Sequence, residues 1–222
     1  MRLSKLWFLP LMVWVLCAAQ LGYAGDLWEK GRHYKELPYP VKTEDPSKIE
    51  VLEVFWYGCP HCYEFNNDYL PKWEEQLAED VYFTLMPATF PGWIVHAKAY
   101  YAAKFLGVDK EIHQYLFDKI VANPRNFKDV SDLKPLFVAK GVKSEDFDKV
   151  FEASGFRKIS KVEEAIKKAT EKVKSLRIAG VPALIVNGKY KVSVGDAGGF
   201  PNMLKVANYL VDKEREAAKK AL

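Results

Sequence analysis

Ile49-Glu50-Val51-Leu52-Glu53-Val54-Phe55-Trp56-Tyr57-Gly58-Cys59-Pro60-His61-Cys62-Tyr63 is the stretch that decides the fold. Its first half, Ile49 to Trp56, is rich in β-branched and aromatic residues and stops at Gly58, the pattern of a buried strand. From Tyr63 to Ala78 the residues Phe65, Tyr69, Leu70, Trp73 and Leu77 recur at helical spacing, with Pro71 expected to kink the helix. Cys59 and Cys62 therefore fall where a strand hands over to a helix. At that spacing they lie one turn apart, within reach of a disulfide. Such a bridge closes a loop too small to stabilise the chain much through entropy, so cyclic oxidation and reduction is its expected use.

Position also ranks the two sulfurs. Cys59 sits at the helix N-terminus, where unpaired backbone N–H groups and the helix dipole favour negative charge. An ordinary thiol, with a pKa of about 8.5, is only a few per cent thiolate at neutral pH. A helix end contributes about 0.3–2 kcal/mol, so a larger depression needs direct N–H···S hydrogen bonds and a nearby positive charge. His61 is the candidate for that charge, and Pro60 preorganises the first turn without losing a needed N–H. Cys59 is thus expected to be the sulfur attacked by a substrate thiol, and Cys62 its buried partner. Zinc would need two further ligands, and His33, His96 and His113 lack clustered spacing. Covalent haem needs His directly after the second cysteine, where Tyr63 stands.

Working outward, Val81 to Met86 reads as a second strand, so a strand–helix–strand crossover is expected. From Phe90 to about Thr170 the pattern is helical: His96–Leu106, Lys110–Ala122, Asp132–Lys140 and Ser144–Ala153, separated by Gly107, Asn123-Pro124 and Gly141. Val162, Ala165, Ile166, Ala169, Val173 and Leu176 mark one face of a longer helix reaching Arg177. Ala183–Val186 and Lys189–Val194 then flank Asn187-Gly188, a strong hairpin signal, and Pro201 to about Lys219 reads as a final amphipathic helix. The expected class is α/β, one domain (25–90 and 170–222) interrupted by an all-helical insertion (91–169). Phe90, Pro91, Gly92 and Trp93 could line an apolar groove beside the motif; core placement is the favoured reading. Gly195, Gly198 and Gly199 read as a loop before the last helix and are a weak signal for a phosphate cradle.

The chain opens with Met1-Arg2-Leu3-Ser4-Lys5, runs apolar from Leu6 to Ala19 and reaches Gly22-Tyr23-Ala24. These are the parts of a secretory signal peptide, 1–24. The apolar run is short for a membrane anchor, the alternative reading, and Pro10 interrupts it. Leu16 before Cys17 is too large for the usual lipoprotein cut. Cleavage would lower the net charge from +4 to +2 and leave one cysteine pair. A surface of mixed sign with no basic stripe gives no reason to expect nucleic acid.

Cys59-Pro60-His61-Cys62-Tyr63, preceded by Val51–Phe55 and completed by Gly180-Val181-Pro182 before Asn187-Gly188-Lys189-Tyr190, resembles the DsbA family of periplasmic thiol:disulfide oxidoreductases. The resemblance spans essentially the whole chain after residue 24. It implies a thioredoxin fold with a helical insertion, a cis Val181-Pro182 peptide facing the disulfide, and no cofactor beyond the Cys59–Cys62 disulfide. It also implies a periplasmic monomer that oxidises unfolded or partly folded exported proteins and is reoxidised by a DsbB-type membrane partner. Without the resemblance, Pro182 would be read as a trans proline opening the strand Ala183–Val186. Glu53 stands inside an otherwise apolar strand, which is costly unless the carboxyl group is paired or protonated. The resemblance implies that it lies beneath the buried cysteine and moves protons; a solvent-facing edge position is the alternative. Some relatives carry Lys near the end of the next strand, where this chain has Leu85-Met86. An isomerase or reductant, and a non-catalytic chaperone or adhesion module, are the competing functions.

Overall fold

The computed structural model describes residues 27–153 and 158–220. The expected signal peptide, with Cys17, lies outside them. Five strands form one sheet: β1 (Lys35–Glu36), β2 (Ile49–Phe55), β3 (Val81–Pro87), β4 (Ala183–Val186) and β5 (Tyr190–Ser193), in the order β1-β5-β4-β2-β3. Only the β2–β3 pair is parallel, and the chain between those two strands is helical. β2 is interior, between β4 and β3, and its near-continuous apolar run reflects burial on both faces. Alternation splits that run: Leu52 and Val54 join one core cluster, while Val51 and Phe55 turn to the other face. Glu53 shares the face of Val51 and Phe55. It pairs with Leu85 on β3 and Leu184 on β4 and is fully buried, so it is not an edge residue.

The helical stack after the motif departs from the expected Tyr63–Ala78 helix. α1 (Pro60–Glu64) passes into a π-helical turn over Phe65–Tyr69, then into α2 (Leu70–Glu74). Pro71 has no N–H to continue the i→i−4 ladder, and the Leu70 N–H instead reaches back to the Phe65 carbonyl. The proline is thus felt as a bulge upstream of itself.

Helices α3 (Ile94–Leu106), α4 (Asp109–Ala122), α5 (Val130–Val138) and α6 (Ser144–Phe151) follow β3, and α7 (Lys161–Ser175) leads back to the sheet. Their inner faces join the motif in one cluster: Cys59 and Cys62 pack with Tyr57, Phe117, Ile112 and Ala103. The insertion thus forms one wall of the site. A short helix, α8 (Val194–Ala197), ends on Gly198 and precedes α9 (Phe200–Lys220), so Gly195 is helical rather than part of a loop. α9 buries Met203, Val206, Ala207 and Leu210 against the Val51 side of the sheet.

The β4–β5 hairpin turns at Asn187-Gly188, with φ of 50° and 61°, the left-handed pair that matches strand twist. Glu214 on α9 ties the turn down through Lys189 at 2.6 Å and Asn187. A β-carbon on Gly188 would stand 1.9 Å from the Val41 carbonyl oxygen. Gly188→Ala is therefore expected to cost about 1–3 kcal/mol in urea denaturation. An unchanged midpoint would mean that the lead-in segment does not press on the turn.

Candidate functional site

The site begins where β2 ends. Cys59 is the N-cap of α1: its sulfur accepts the Cys62 N–H at 3.4 Å, and its own N–H goes to the Trp56 carbonyl at 3.0 Å. Pro60 occupies the first helical position, where no N–H is required. The two cysteines are free rather than bridged; Cys59 is 8% exposed and Cys62 is sealed. The Cys62 thiol donating to Cys59, together with the backbone N–H groups of Cys62 and His61 and the nearby imidazole of His61, outweighs burial and lowers the Cys59 pKa to about 6. Burial, and then the Cys59 sulfur itself, push Cys62 well up. One member of the pair is a thiolate at neutral pH and the other a thiol.

Across from the motif, the Val181-Pro182 peptide is cis. The Cys59 thiol points to the Val181 carbonyl oxygen, 3.7 Å away. His61, Gly180, Val181, Pro182, Val194 and Gly195 line a shallow groove beside the reactive sulfur. A second groove lies on the insertion side. Trp56 and Trp93 stack there at 4.2 Å with planes 4° apart, and the Trp56 indole N–H donates to His96 Nδ1 at 2.7 Å. Gly58 makes that placement possible, because a β-carbon on it would stand 2.4 Å from the Trp56 ring. Pro91 and Gly92 are exposed, while Phe90 and Trp93 are half-buried and pack against the core cluster of Leu52, Val54 and Met86; Pro91, Gly92 and Trp93 also line this groove. Arg125 and Lys128 line its other side.

Beneath the motif, burial raises the Glu53 carboxyl to about 8, with the Cys59 charge adding to the rise and the Asn66 amide opposing it. Asn66 Nδ2 donates to Glu53 Oε1 at 2.9 Å and to the Cys62 carbonyl at 3.0 Å. Glu53 Oε2 has no hydrogen-bond partner within the described protein. Asn66 supplies a side-chain donor to Glu53 where the sequence offered no charged partner. A signal existed: it is one helical turn beyond Cys62 on the same side. No group of three or more His, Cys, Asp or Glu that could hold a metal occurs among the described residues.

A reactive N-capping cysteine facing a cis-proline loop across the end of an interior strand defines a thiol–disulfide oxidoreductase of the thioredoxin fold. Comparison with known proteins narrows the class. The family model described as the DSBA-like thioredoxin domain matches residues 70–206. The Pseudomonas aeruginosa thiol:disulfide interchange protein DsbA is 40% identical over 200 residues, 88% of this chain and 90% of that protein. Its crystal structure superimposes with a TM-score of 0.78 at 37% identity, covering 88% and 98% of the two chains. Proteus mirabilis DsbA, solved with a non-covalently bound peptide, PWATCDS, gives 0.66 at 26% identity over 82% of this chain and 97% of that one. The chain belongs to the DsbA family, and it is a disulfide oxidoreductase.

Proposed function

We propose that the protein donates its Cys59–Cys62 disulfide to cysteine pairs of newly exported, unfolded or partly folded proteins in the periplasm. A DsbB-type membrane partner then reoxidises it. In this reading residues 1–24 are a cleaved signal peptide, segments 25–90 and 170–222 carry the chemistry, and 91–169 form the inserted wall. The protein acts as a monomer and needs no cofactor beyond its own disulfide. The observation that carries the proposal is the inequality of the two sulfurs: Cys59 is reachable and charged, Cys62 sealed and protonated.

A substrate thiolate attacks Cys59 Sγ; the Cys59–Cys62 bond breaks, and Cys62 leaves with the electron pair. Glu53 in its protonated form delivers a proton to that sulfur. The second substrate thiolate attacks the substrate sulfur of the mixed disulfide and expels Cys59 as a thiolate. Two electrons pass from the substrate sulfurs to the enzyme pair, and the proton balance is released to solvent. Reoxidation runs the other way: Cys59 attacks the partner's disulfide, and Cys62 gives its proton to Glu53 before displacing the partner. His61, Val181 and Pro182 form the wall along which an extended substrate lies, beside the reactive sulfur, and a relative from Proteus mirabilis has been solved with a bound peptide. The groove at Trp56 and Trp93 offers unfolded chains an apolar surface.

The oxidase direction follows from the same inequality. A sulfur with a pKa of about 6 is roughly nine-tenths thiolate at pH 7, which stabilises the reduced pair and makes the disulfide more oxidising. Ultraviolet thiolate absorbance of the reduced protein is expected to titrate with a midpoint about 6, and the oxidised protein to oxidise a reduced two-cysteine peptide. A midpoint near that of free cysteine, with no peptide oxidation, would remove the basis for a disulfide donor. A strongly reducing potential would favour a reductant.

A further inference from the structure

Three polar side chains under the motif are aligned in a way the exchange chemistry above does not use. The half-buried His113, on α4, has Nδ1 2.8 Å from the Tyr57 hydroxyl and Nε2 3.4 Å from Asn66 Oδ1. The directions of these bonds are fixed by the partners. Asn66 Nδ2 is the only amide atom that can donate to both Glu53 Oε1 and the Cys62 carbonyl, so Oδ1 faces His113. His113 Nε2 must then carry the hydrogen, which leaves Nδ1 as an acceptor and Tyr57 O–H as the donor. All donors point the same way: Tyr57 to His113, His113 to Asn66, Asn66 to Glu53.

We propose that Tyr57, His113 and Asn66 are positioning residues for Glu53, a one-directional hydrogen-bond chain that holds its carboxyl group beneath Cys62 and favours the charged form that accepts the Cys62 proton. The inference rests on the reading of Glu53 as the group that exchanges a proton with Cys62. Each donor in the chain polarises the next, so the positive end of the series falls on Glu53 Oε1. Among the described residues Asn66 donates to Oε1 of that carboxyl group and Oε2 has no partner, in a pocket whose β3 and β4 neighbours, Leu85 and Leu184, carry no charge. The titratable groups facing Glu53 are Cys59 and Cys62 above it. Those around His113 are Tyr57, Tyr100 from α3, and Asp109 one turn earlier on α4. Burial holds the His113 imidazole down at about 4, so it stays neutral and keeps the tautomer that the chain requires. The far end of the series, Tyr57, is buried, while Asn66 and His113 between it and Glu53 are half-buried.

The test is the rate at which Cys62 resolves the mixed disulfide between Cys59 and glutathione, followed against pH by stopped-flow fluorescence in the full-length oxidoreductase. In the wild type the rate should rise with a midpoint at the Glu53 ionisation, about 8. Asn66→Leu is expected to move that midpoint up by about one pH unit and slow resolution at pH 7 about tenfold. Tyr57→Phe and His113→Gln should move it in the same direction by less. Tyr57→Phe keeps its ring packed on Phe55 and Phe117 and decides the matter if Asn66→Leu does not fold. In a Glu53→Gln background none of the three should alter the profile further. Lowered thermal stability with an unmoved midpoint would make the three residues structural and overturn the inference alone. An unmoved midpoint in Glu53→Gln itself would overturn the Glu53 reading and the inference with it.

Discussion

Cys59→Ser is expected to bring disulfide transfer down to background, whereas Cys62→Ser should yield a protein that captures substrates and cannot release them. The difference comes from access and charge, because the two residues are chemically identical. Cys59 is the sulfur open to an incoming thiol, and its thiolate is held by the Cys62 thiol and by backbone N–H groups that serine cannot use in the same way. Serine at 59 is also a poor nucleophile and leaving group, with a hydroxyl pKa far above neutrality. Cys62 is fully buried and pushed towards the neutral thiol, so no substrate reaches it first. Its work is resolution, and without it a mixed disulfide at Cys59 persists unless an outside thiol arrives. Incubating each variant with a disulfide-bonded peptide and weighing the products by mass spectrometry separates the roles. Covalent peptide on Cys62→Ser and none on Cys59→Ser is the expected result. Adducts on Cys62 of the Cys59→Ser protein would reverse the assignment.

Much of this site was legible in the sequence, and the reason is local. A strand, a breaker and a helix start determine where a C-x-x-C pair lies, and no distant contact is needed to rank its members. The hairpin is equally local, since Asn187-Gly188 adopts left-handed dihedrals at little cost. The cis peptide at Val181-Pro182 is different: residue pattern alone favoured trans, and only the family resemblance pointed to cis. What stayed hidden depends on contacts between elements. Asn66 lies four residues after Cys62 on the same side of the helix, but its 2.9 Å contact with Glu53 joins that helix to a strand, which the period of neither element displays. His113 sits on the inner side of α4 with Ile112, Leu116 and Phe117, so its inward aim was readable; its partner, contributed from 47 residues away, was not. Strand β1 escaped notice because two exposed residues, Lys35 and Glu36, carry no period.

Glu53 should reveal itself in stability as well as in kinetics. Its folded-state pKa, about 8, lies above its ordinary value of 4.5, and burial is the main cause. The sign of the linkage follows from proton binding. Below pH 4.5 both the folded and unfolded chains hold the proton, and the group costs nothing through ionisation. Between 4.5 and 8 the unfolded chain has released a proton that the folded protein retains, so stability falls by about 1.4 kcal/mol for each pH unit. By pH 7 the loss amounts to about 3 kcal/mol, a sizeable part of the stability of a typical domain. Glu53→Gln removes the titration while preserving size and the acceptor for Asn66. Comparing each protein with itself at pH 4.5 and pH 7 cancels any constant cost of the new amide. Reduced wild type and variant both retain Cys59, whose lowered pKa adds stability as pH rises through 6 in each and so drops out of the comparison. Urea denaturation of the two reduced proteins should therefore give curves that diverge by about 3 kcal/mol across that interval, the variant gaining as pH rises. Parallel curves would place the Glu53 pKa near its ordinary value, leaving the group ionised at neutral pH and without the proton that the leaving Cys62 sulfur is proposed to receive. Divergence, combined with slower resolution by Cys62 in the same variant, would mean that the chain carries a buried carboxyl group at a cost in stability that proton exchange with Cys62 offsets.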